Sequence, residues 1–172
     1  MTRIPIVDEN DKIIGYKKRG TLDSDDIYRV SALWLTNSKG EILIAQRADN
    51  KSHNPGQWGV SVAGTVDEGE TYYENIIKET EEEIGLKGIK PKKGPYGRHK
   101  GEHNYFYQWY LQEIDMDIED FVIDKEEVKA KFYQHGAESD LHKEKYQTAS
   151  DDEKTEFGKK LDEYLANQES TN

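Results

Sequence analysis

The chain has no cysteine among its 172 residues, which excludes disulfide bonds and thiolate metal sites within it. It also has no apolar run that approaches the roughly 18 residues of a membrane span. No such run follows the opening Met-Thr-Arg, so we expect no signal peptide and a cytoplasmic protein. Positive charge is scarce too, since the chain has 24 Lys and Arg residues but 35 Asp and Glu residues, which gives a net charge of −11. Surfaces that bind duplex nucleic acid are basic, so we expect neither a nucleic-acid duplex nor a membrane as a partner.

The order of the predicted elements indicates an α+β fold in a single domain over residues 1–172. Runs of alternating or continuous apolar residues predict strands at Arg3–Val7, Ile13–Lys18, Tyr28–Thr36, Glu41–Arg47, Gly59–Ala63, Asn104–Ile114 and Lys129–Gln134. The Tyr28–Thr36 and Glu41–Arg47 strands are predicted to form a hairpin. Residues 88–97 contain three Gly and two Pro and predict at most a broken edge strand, and Glu119–Ile123 is a candidate short strand.

The C-terminal region is predicted to be helical. One helix is expected over Ala137–Tyr146, and a second begins at Ser150, where Ser-Asp-Asp-Glu fits a capping box. The second helix has an apolar stripe at i, i+4, i+7 and i+8, formed by Phe157, Leu161, Tyr164 and Leu165.

A helix from about Thr71 to just before Gly85 is the most informative element of the sequence. Glu79, Glu82 and Glu83 have the spacing that brings three carboxylates onto one helix face. A divalent cation such as Mg²⁺ would offset their repulsion, because Mg²⁺ binds carboxylate oxygens, water and substrate phosphates. The alternative is an ordinary solvated acidic face. A separate arc is predicted to pack against a sheet, and it comprises Tyr73, Ile77, Thr80 and Ile84.

The residues around this helix resemble the Nudix box, G-x5-E-x7-R-E-U-x-E-E-x-G-U, in which U is aliphatic. The positions that match are Gly64, Glu70, Glu79, Glu82, Glu83, Gly85 and Leu86. Lys78 replaces the Arg of the pattern and lacks the planar fork that can hold two carboxylates at once. Thr80 replaces an aliphatic residue and brings a hydroxyl that needs a partner, for which a backbone carbonyl one turn back is available.

The resemblance covers about residues 3–141. Within the Nudix family, this part of the chain is similar to the branch related to isopentenyl-diphosphate isomerase. It includes Ala45-Gln46-Arg47, Lys51, Asn54-Pro55-Gly56, Trp58, Ser61, Ala63-Gly64 and the Tyr28-Arg29-Val30 opening of the long strand. It implies an α/β/α sandwich with a mixed β-sheet between helices. Members that isomerise an allylic bond use a Cys, which this chain lacks, so the resemblance favours the hydrolytic members.

The resemblance implies a Mg²⁺- or Mn²⁺-dependent hydrolase that cleaves a phosphoanhydride in a small-molecule diphosphate, such as a nucleoside diphosphate-linked compound. Glu79, Glu82, Glu83 and the backbone carbonyl of Gly64 are the implied metal ligands. A carboxylate would accept the proton of the attacking water. The candidates are Glu82 and the loop residues Glu126 and Glu127, whose alternative role is that of ordinary acidic loop residues.

Further residues around the helix and on the strands are candidates for the site. Glu70 falls near the opposite side of the helix from Glu79, so we expect it to brace the loop before the helix. Three cations, Arg29, Arg47 and Lys51, could neutralise substrate phosphate, with a surface role as the alternative. Aromatic residues that could stack on a substrate ring, but that more often pack in a core, are Trp58, Tyr105 and Tyr107. The five His show no zinc-site spacing.

Two other functions are consistent with parts of the pattern. The Lys78 and Thr80 departures leave open a Nudix-fold module that binds a nucleotide or protein without catalysis. Isomerisation of a prenyl diphosphate is the third interpretation, and the missing Cys argues against it. The N-terminal strands and the aromatic run would support a homodimer, although nothing in the sequence requires one.

Overall fold

A two-stranded antiparallel unit opens the fold. The structure is a computed structural model that describes residues 2–50, 55–56, 58–126 and 128–135. Strand β1 (Arg3–Val7) pairs with β2 (Ile13–Lys18), and both strands have the predicted bounds. The turn between them is held by the Asp8 carboxylate, which accepts backbone N–H groups of Asn10 at 2.9 Å and Lys12 at 3.0 Å. Asp side chains commonly stabilise turns in this way, by accepting backbone N–H groups of the residues that follow.

The main sheet is mixed and contains the other seven strands of the described part of the chain. These strands are β3 (Ile27–Thr36), β4 (Glu41–Arg47), β5 (Trp58–Val60), β6 (Val62–Thr65), β7 (Lys92–His99), β8 (Asn104–Glu113) and β9 (Val128–His135). Strand β3 lies between antiparallel β6 and parallel β8, and β7 pairs with the outer side of β8. Strand β4 pairs with β5 and β9. The α+β class is confirmed, while the predicted C-terminal helices lie outside the described residues.

The predicted hairpin of β3 and β4 is present but short, because the antiparallel strands pair at Thr36 and Ile42 and then diverge to other partners. A second expectation about the sheet is wrong. The predicted strand at Gly59–Ala63 is divided at Ser61, where the chain leaves β4 and joins β3. The buried Ser61 hydroxyl donates to the Leu33 carbonyl at 3.1 Å, which satisfies a polar group at the switch.

Helix α1 spans Tyr72–Ile84, close to the predicted bounds. The Thr71 and Glu74 side chains form a capping box at its start, and Gly85 ends it with a left-handed φ of +70°. The helix packs against β3 and β6. Its buried residues are Asn75, Ile76, Thr80, Glu83 and Ile84.

The predicted burial of Tyr73 is wrong. Tyr73 is 39% exposed and Ile76 takes its place in the core with Leu33 and Val62. The Tyr73 ring instead meets the edge of the Tyr110 ring, with centroids 5.7 Å apart. The helix face that packs against the sheet is therefore rotated, relative to the prediction, towards the face that bears the glutamates. The two faces overlap at Glu83.

The segment after β8 closes over the end of α1. Residues Ile118–Asp120 form a single 3-10 turn, so the short strand predicted at Glu119–Ile123 is wrong. Phe121 is buried in the core, and the backbone N–H groups of Val122 and Asp124 donate to the last carbonyls of the helix, those of Ile84 and Glu83. These bonds satisfy helix carbonyls that would otherwise lack a partner.

Replacing Gly85 with Ala should lower the free energy of unfolding more than replacing Gly88 with Ala. Both glycines have a φ near +70°, which costs about 1–2 kcal/mol for Ala. A Cβ at Gly85 would lie 2.9 Å from the Val122 Cβ, whereas nothing lies within 4 Å of one at Gly88. The crowding should add about 1–3 kcal/mol in urea denaturation. Equal losses in the two variants would contradict this packing of the helix end.

Candidate metal and active site

The three glutamates of α1 occupy different environments. Glu83 is buried, Glu82 is exposed, and the Glu79 side chain is only 14% exposed. Glu79 lies directly over Gly64 in β6, because a Cβ added at Gly64 would come within 2.3 Å of the Glu79 Cδ. Only glycine leaves room for the carboxylate at this position. The sheet and the helix thus bring together two of the residues that are predicted to bind the metal, Gly64 and Glu79.

The Glu79 carboxylate is in an environment that disfavours its negative charge. Burial raises the pKa of Glu79, and the nearby charge of Glu82 raises it further, while Lys78 acts in the opposite direction. Glu83 lies one turn further along the helix. A cation bound beside these carboxylates would offset the cost of burying them.

Lys78 occupies the Arg position of the box and pairs with the acidic residues around the helix start. Its Nζ lies 2.8 Å from Glu70 Oε1, 2.9 Å from Asp67 Oδ2 and 3.7 Å from Glu79 Oε1. Burial alone would lower the pKa of Lys78, but the hydrogen bonds to Glu70 and Asp67 outweigh it and raise the pKa above its ordinary value. The Lys78 side chain therefore stays protonated and contributes a positive charge to the site.

The expectation that Glu70 braces the loop before the helix is confirmed. Its Oε2 accepts the backbone N–H of Asp67 at 3.1 Å and an amide N–H of Asn75 at 3.0 Å. The Thr80 hydroxyl donates to the Ile76 carbonyl at 2.6 Å, which is the backbone partner expected for it.

Sequence reasoning missed Asn75. This residue is fully buried on α1, and its amide contacts both Glu70 and Glu79. The Ser31 hydroxyl donates to its carbonyl oxygen at 2.6 Å. The signal that could have indicated its role was a polar residue among those of the helix that face the sheet, because a buried amide requires hydrogen-bond partners.

The N-terminal strand pair holds the loop between β6 and α1. Arg19 binds the Asp67 carboxylate at 2.9 Å and the Thr65 carbonyl at 3.2 Å. Arg3 binds Glu68 through its Nε at 2.6 Å and accepts the Glu68 backbone N–H at its own carbonyl. The loop that leads into the acidic helix is therefore held by one residue of β1 and one that directly follows β2.

The loop before β9, which contains Asp124 and Glu126, lies at the end of α1 and next to the loop after β4. The Asp124 backbone N–H donates to the Glu83 carbonyl at 3.0 Å, and Asn50 donates to the Glu126 carboxylate at 3.0 Å. Ala48, Asp49, Asn50 and Lys125 line a depression at this junction. Glu127 and Lys51, predicted as base and substrate contact, lie outside the described residues.

Arg29 is engaged within the protein. Its Nε donates to Asp11 Oδ1 at 2.6 Å, while the hydroxyls of Tyr72 and Tyr96 donate to Asp11 Oδ2 at 3.0 and 2.9 Å. Burial, together with the Asp11 charge, raises the pKa of Tyr96 to about 12. This cluster joins the β1–β2 turn to β3, α1 and β7. A substrate role for Arg29 remains a prediction, and it would have to act from within the cluster.

The remaining predicted contacts lie on strands of the main sheet. Arg47 is half-buried at the end of β4, opposite Val128 of β9. Tyr105 of β8 contacts the rings of Tyr28 and His99, with centroids 5.7 and 4.7 Å away. These ring contacts are packing within the protein.

The residues of the helix fit Mg²⁺ or Mn²⁺ better than a metal that needs a complete protein cage. Among the residues that the structure describes, no three carboxylate or imidazole groups form a ready-made cluster. Mg²⁺ typically takes one or two carboxylates and completes its shell with water and substrate phosphates. Glu79 and Glu83, one turn apart and all-oxygen, meet that requirement, and the missing Cβ of Gly64 leaves space for the Glu79 carboxylate.

Comparison with known proteins identifies the family. The family model described as the NUDIX domain matches residues 27–155. The chain belongs to the Nudix family. An uncharacterised Nudix hydrolase of Listeria monocytogenes is 29% identical over 129 residues, which cover 72% of this chain and 73% of that protein. No helix within the described part of this Nudix chain is long and apolar enough to cross a membrane.

Other relatives match a shorter region. An uncharacterised Nudix hydrolase of Yersinia pestis is 30% identical over 60% of this chain and 53% of its own length. An isopentenyl-diphosphate Delta-isomerase of Photorhabdus laumondii is 33% identical over half of each chain, which confirms the resemblance to that branch. The chain spans about half the length of these two relatives.

Solved structures share the fold. A Deinococcus radiodurans protein superposes with a TM-score of 0.66 at 25% identity, over 77% of this chain and 83% of that one. An Ap4A hydrolase of Caenorhabditis elegans has a TM-score of 0.57 at 17% identity, over 81% of this chain and 98% of that one. The Nudix fold class predicted from the sequence is confirmed.

Replacing Lys78 with Met should lower the free energy of unfolding at pH 7 by about 1–3 kcal/mol, because three partly buried carboxylates lose a partner. Burial alone would raise the pKa of Asp67, but hydrogen bonds from Arg19 and Lys78 lower it. This stabilisation exists above the unfolded-state pKa and disappears as Asp67 is protonated, so the difference from wild type should shrink below about pH 4.

Lys87→Met is the matched control, since Lys87 pairs with Glu81 at 2.7 Å where both side chains are at least half exposed. It should lower the free energy of unfolding less than Lys78→Met does, because solvent screens an exposed ion pair. Urea denaturation at several pH values measures both variants. A Lys78 variant as stable as the Lys87 variant would contradict the assigned pairing.

Proposed function

We propose that this Nudix protein is a metal-dependent hydrolase that cleaves a phosphoanhydride in a nucleoside diphosphate-linked or similar small-molecule diphosphate. The observation that carries the proposal is the contact between Glu79 and Gly64, with Glu83 buried one turn further along the helix. Ordinary acidic helix faces are solvated, whereas here two carboxylates are withdrawn from water at the edge of the packing face.

Glu79, Glu83 and the Gly64 carbonyl would hold Mg²⁺ or Mn²⁺, with Glu82 available from the solvent side. When bound, such an ion neutralises phosphate oxygens and lowers the pKa of a bound water. The other contributions come from the chain itself. Lys78 neutralises Asp67 and Glu70 and so leaves the Glu79 carboxylate as the acidic group with the weaker partner, at 3.7 Å.

Glu82 and the 124–127 loop are the candidates for accepting the proton of the attacking water. Glu82 is exposed and one residue from the buried Glu83, so it can reach a water molecule beside the site. The loop is tied to α1 through the bond from Asp124 to the Glu83 carbonyl, which supports Glu126 or Glu127 as the alternative. A base must lie within hydrogen-bonding distance of the water, directly or through one other water.

The substrate is proposed to enter from the loops after β4 and before β9. Arg47, Lys51 and Lys125 could supply local positive charge there, which an anionic substrate requires in a chain of net charge −11. Because one structural neighbour is named an Ap4A hydrolase, dinucleoside polyphosphates belong in any substrate panel. Fold likeness alone does not choose among them.

Turnover should require added Mg²⁺ or Mn²⁺. It should fall more than about a hundredfold in Glu83→Gln, because the neutral amide lacks the negative charge that attracts the cation. Phosphate release is measured on nucleotides, nucleotide sugars and dinucleoside polyphosphates. Glu81→Gln is the matched control, since Glu81 is exposed on the same helix and pairs with Lys87. Circular dichroism establishes that both variants are folded.

Two results would contradict the hydrolase. Equal turnover in the Glu83 and Glu81 variants would remove the acidic helix from catalysis. Absence of turnover on the whole panel, together with absence of Mn²⁺ binding, would favour a Nudix-fold module that binds a nucleotide or protein without chemistry.

A further inference from the structure

Asn75 lies where two carboxylates of the acidic helix can be held by one side chain. Its Nδ2 is 3.0 Å from Glu70 Oε2, 3.3 Å from Glu79 Oε1 and 3.3 Å from the Thr65 carbonyl oxygen. The residue is fully buried, so water does not compete for these contacts. It therefore connects the loop before the helix to the proposed metal ligand.

The orientation of this amide is fixed by its surroundings. Three acceptor oxygens surround one end of the side chain, so that end must be the NH₂ group. The other end then presents its carbonyl oxygen to the Ser31 hydroxyl, which donates at 2.6 Å and is itself fully buried on β3. Ser31 pairs in register with Gly64, so the same rung of the sheet anchors Asn75 and underlies Glu79.

Lys78 alone does not hold Glu79. Its ammonium is within 3 Å of Asp67 and Glu70 but 3.7 Å from Glu79. A guanidinium has a planar fork that can bind two carboxylates simultaneously, whereas an ammonium is a point charge. The contact that Lys78 makes poorly is the one that the Asn75 amide makes.

We infer that Asn75 is a positioning residue that, with Lys78, replaces the guanidinium fork of the Nudix box and orients Glu79 for a divalent cation. The inference rests on the proposed metal site. Lys78 supplies the positive charge, and the Asn75 amide supplies the second hydrogen-bond donor, which reaches Glu79. The two positions are coupled, so an Arg at position 78 makes Asn75 dispensable.

The test is a Mn²⁺ titration of the full chain by calorimetry for wild type, Asn75→Ala, Lys78→Arg and the double variant. Asn75→Ala should weaken Mn²⁺ binding about tenfold, the scale seen when a group that orients a metal ligand is removed. Lys78→Arg should bind Mn²⁺ as wild type does. The double variant should recover to within about threefold of Lys78→Arg, because the guanidinium reaches both carboxylates.

Thr80→Val is the matched control. Thr80 is as buried as Asn75 and on the same helix, but its hydroxyl bonds only to the Ile76 carbonyl among the contacts described for it. It should lower the urea midpoint without changing Mn²⁺ affinity. Equal weakening by Thr80→Val and Asn75→Ala, or failure of Lys78→Arg to rescue Asn75→Ala, would overturn the inference.

Absence of Mn²⁺ binding in wild type would contradict the proposed function, and a second measurement then decides the positioning role. The urea midpoints of Asn75→Ala, Glu79→Gln and their combination report whether the two side chains are coupled. Non-additive shifts support the contact between Asn75 and Glu79 without any metal. Additive shifts overturn it.

Discussion

Compensation of negative charge at the start of the acidic helix is the constraint on which the rest of the site depends. Asp67, Glu70 and Glu79 approach one ammonium, that of Lys78, in surroundings where each side chain is less than a third exposed. Charges in such partly buried positions interact more strongly than in water, so an unpaired carboxylate there would be costly. Lys78 can satisfy two of the three carboxylates closely. The third is left with an amide contact and an environment that favours a further cation.

The rest of the fold holds this arrangement in place. The N-terminal strand pair binds the loop before the helix through Arg3 and Arg19, and the segment after β8 binds the last turn of the helix. Between these ends, the absence of a side chain at Gly64 allows the Glu79 carboxylate to lie on the sheet. Each of these contacts joins residues far apart in sequence. The acidic helix is thus positioned by long-range contacts at both ends and at its centre, as a preorganised site requires.

Local patterns predicted what is locally determined. The bounds of β1, β2 and β4 match because apolar alternation and turn residues lie within the same few residues. The distant partners of β3 and β4 could not be predicted, since the sequence does not reveal which strands from other parts of the chain are adjacent. The same reason applies to Arg29, whose carboxylate partner Asp11 lies on another unit of the fold. Asn75 was missed because an isolated Asn in a helix has no motif, and its role exists only where Glu70, Glu79 and Ser31 converge.

The central claim is that the Glu79 and Glu83 carboxylates, which are largely withdrawn from water, bind a divalent cation. Anomalous diffraction from a crystal soaked in Mn²⁺ tests it most directly, because it locates the ion without assuming a substrate. The account predicts an anomalous peak within coordination distance of the Glu79 and Glu83 carboxylates, close to the Gly64 carbonyl. A peak only at other carboxylates, with Glu79 and Glu83 left uncoordinated, would contradict it.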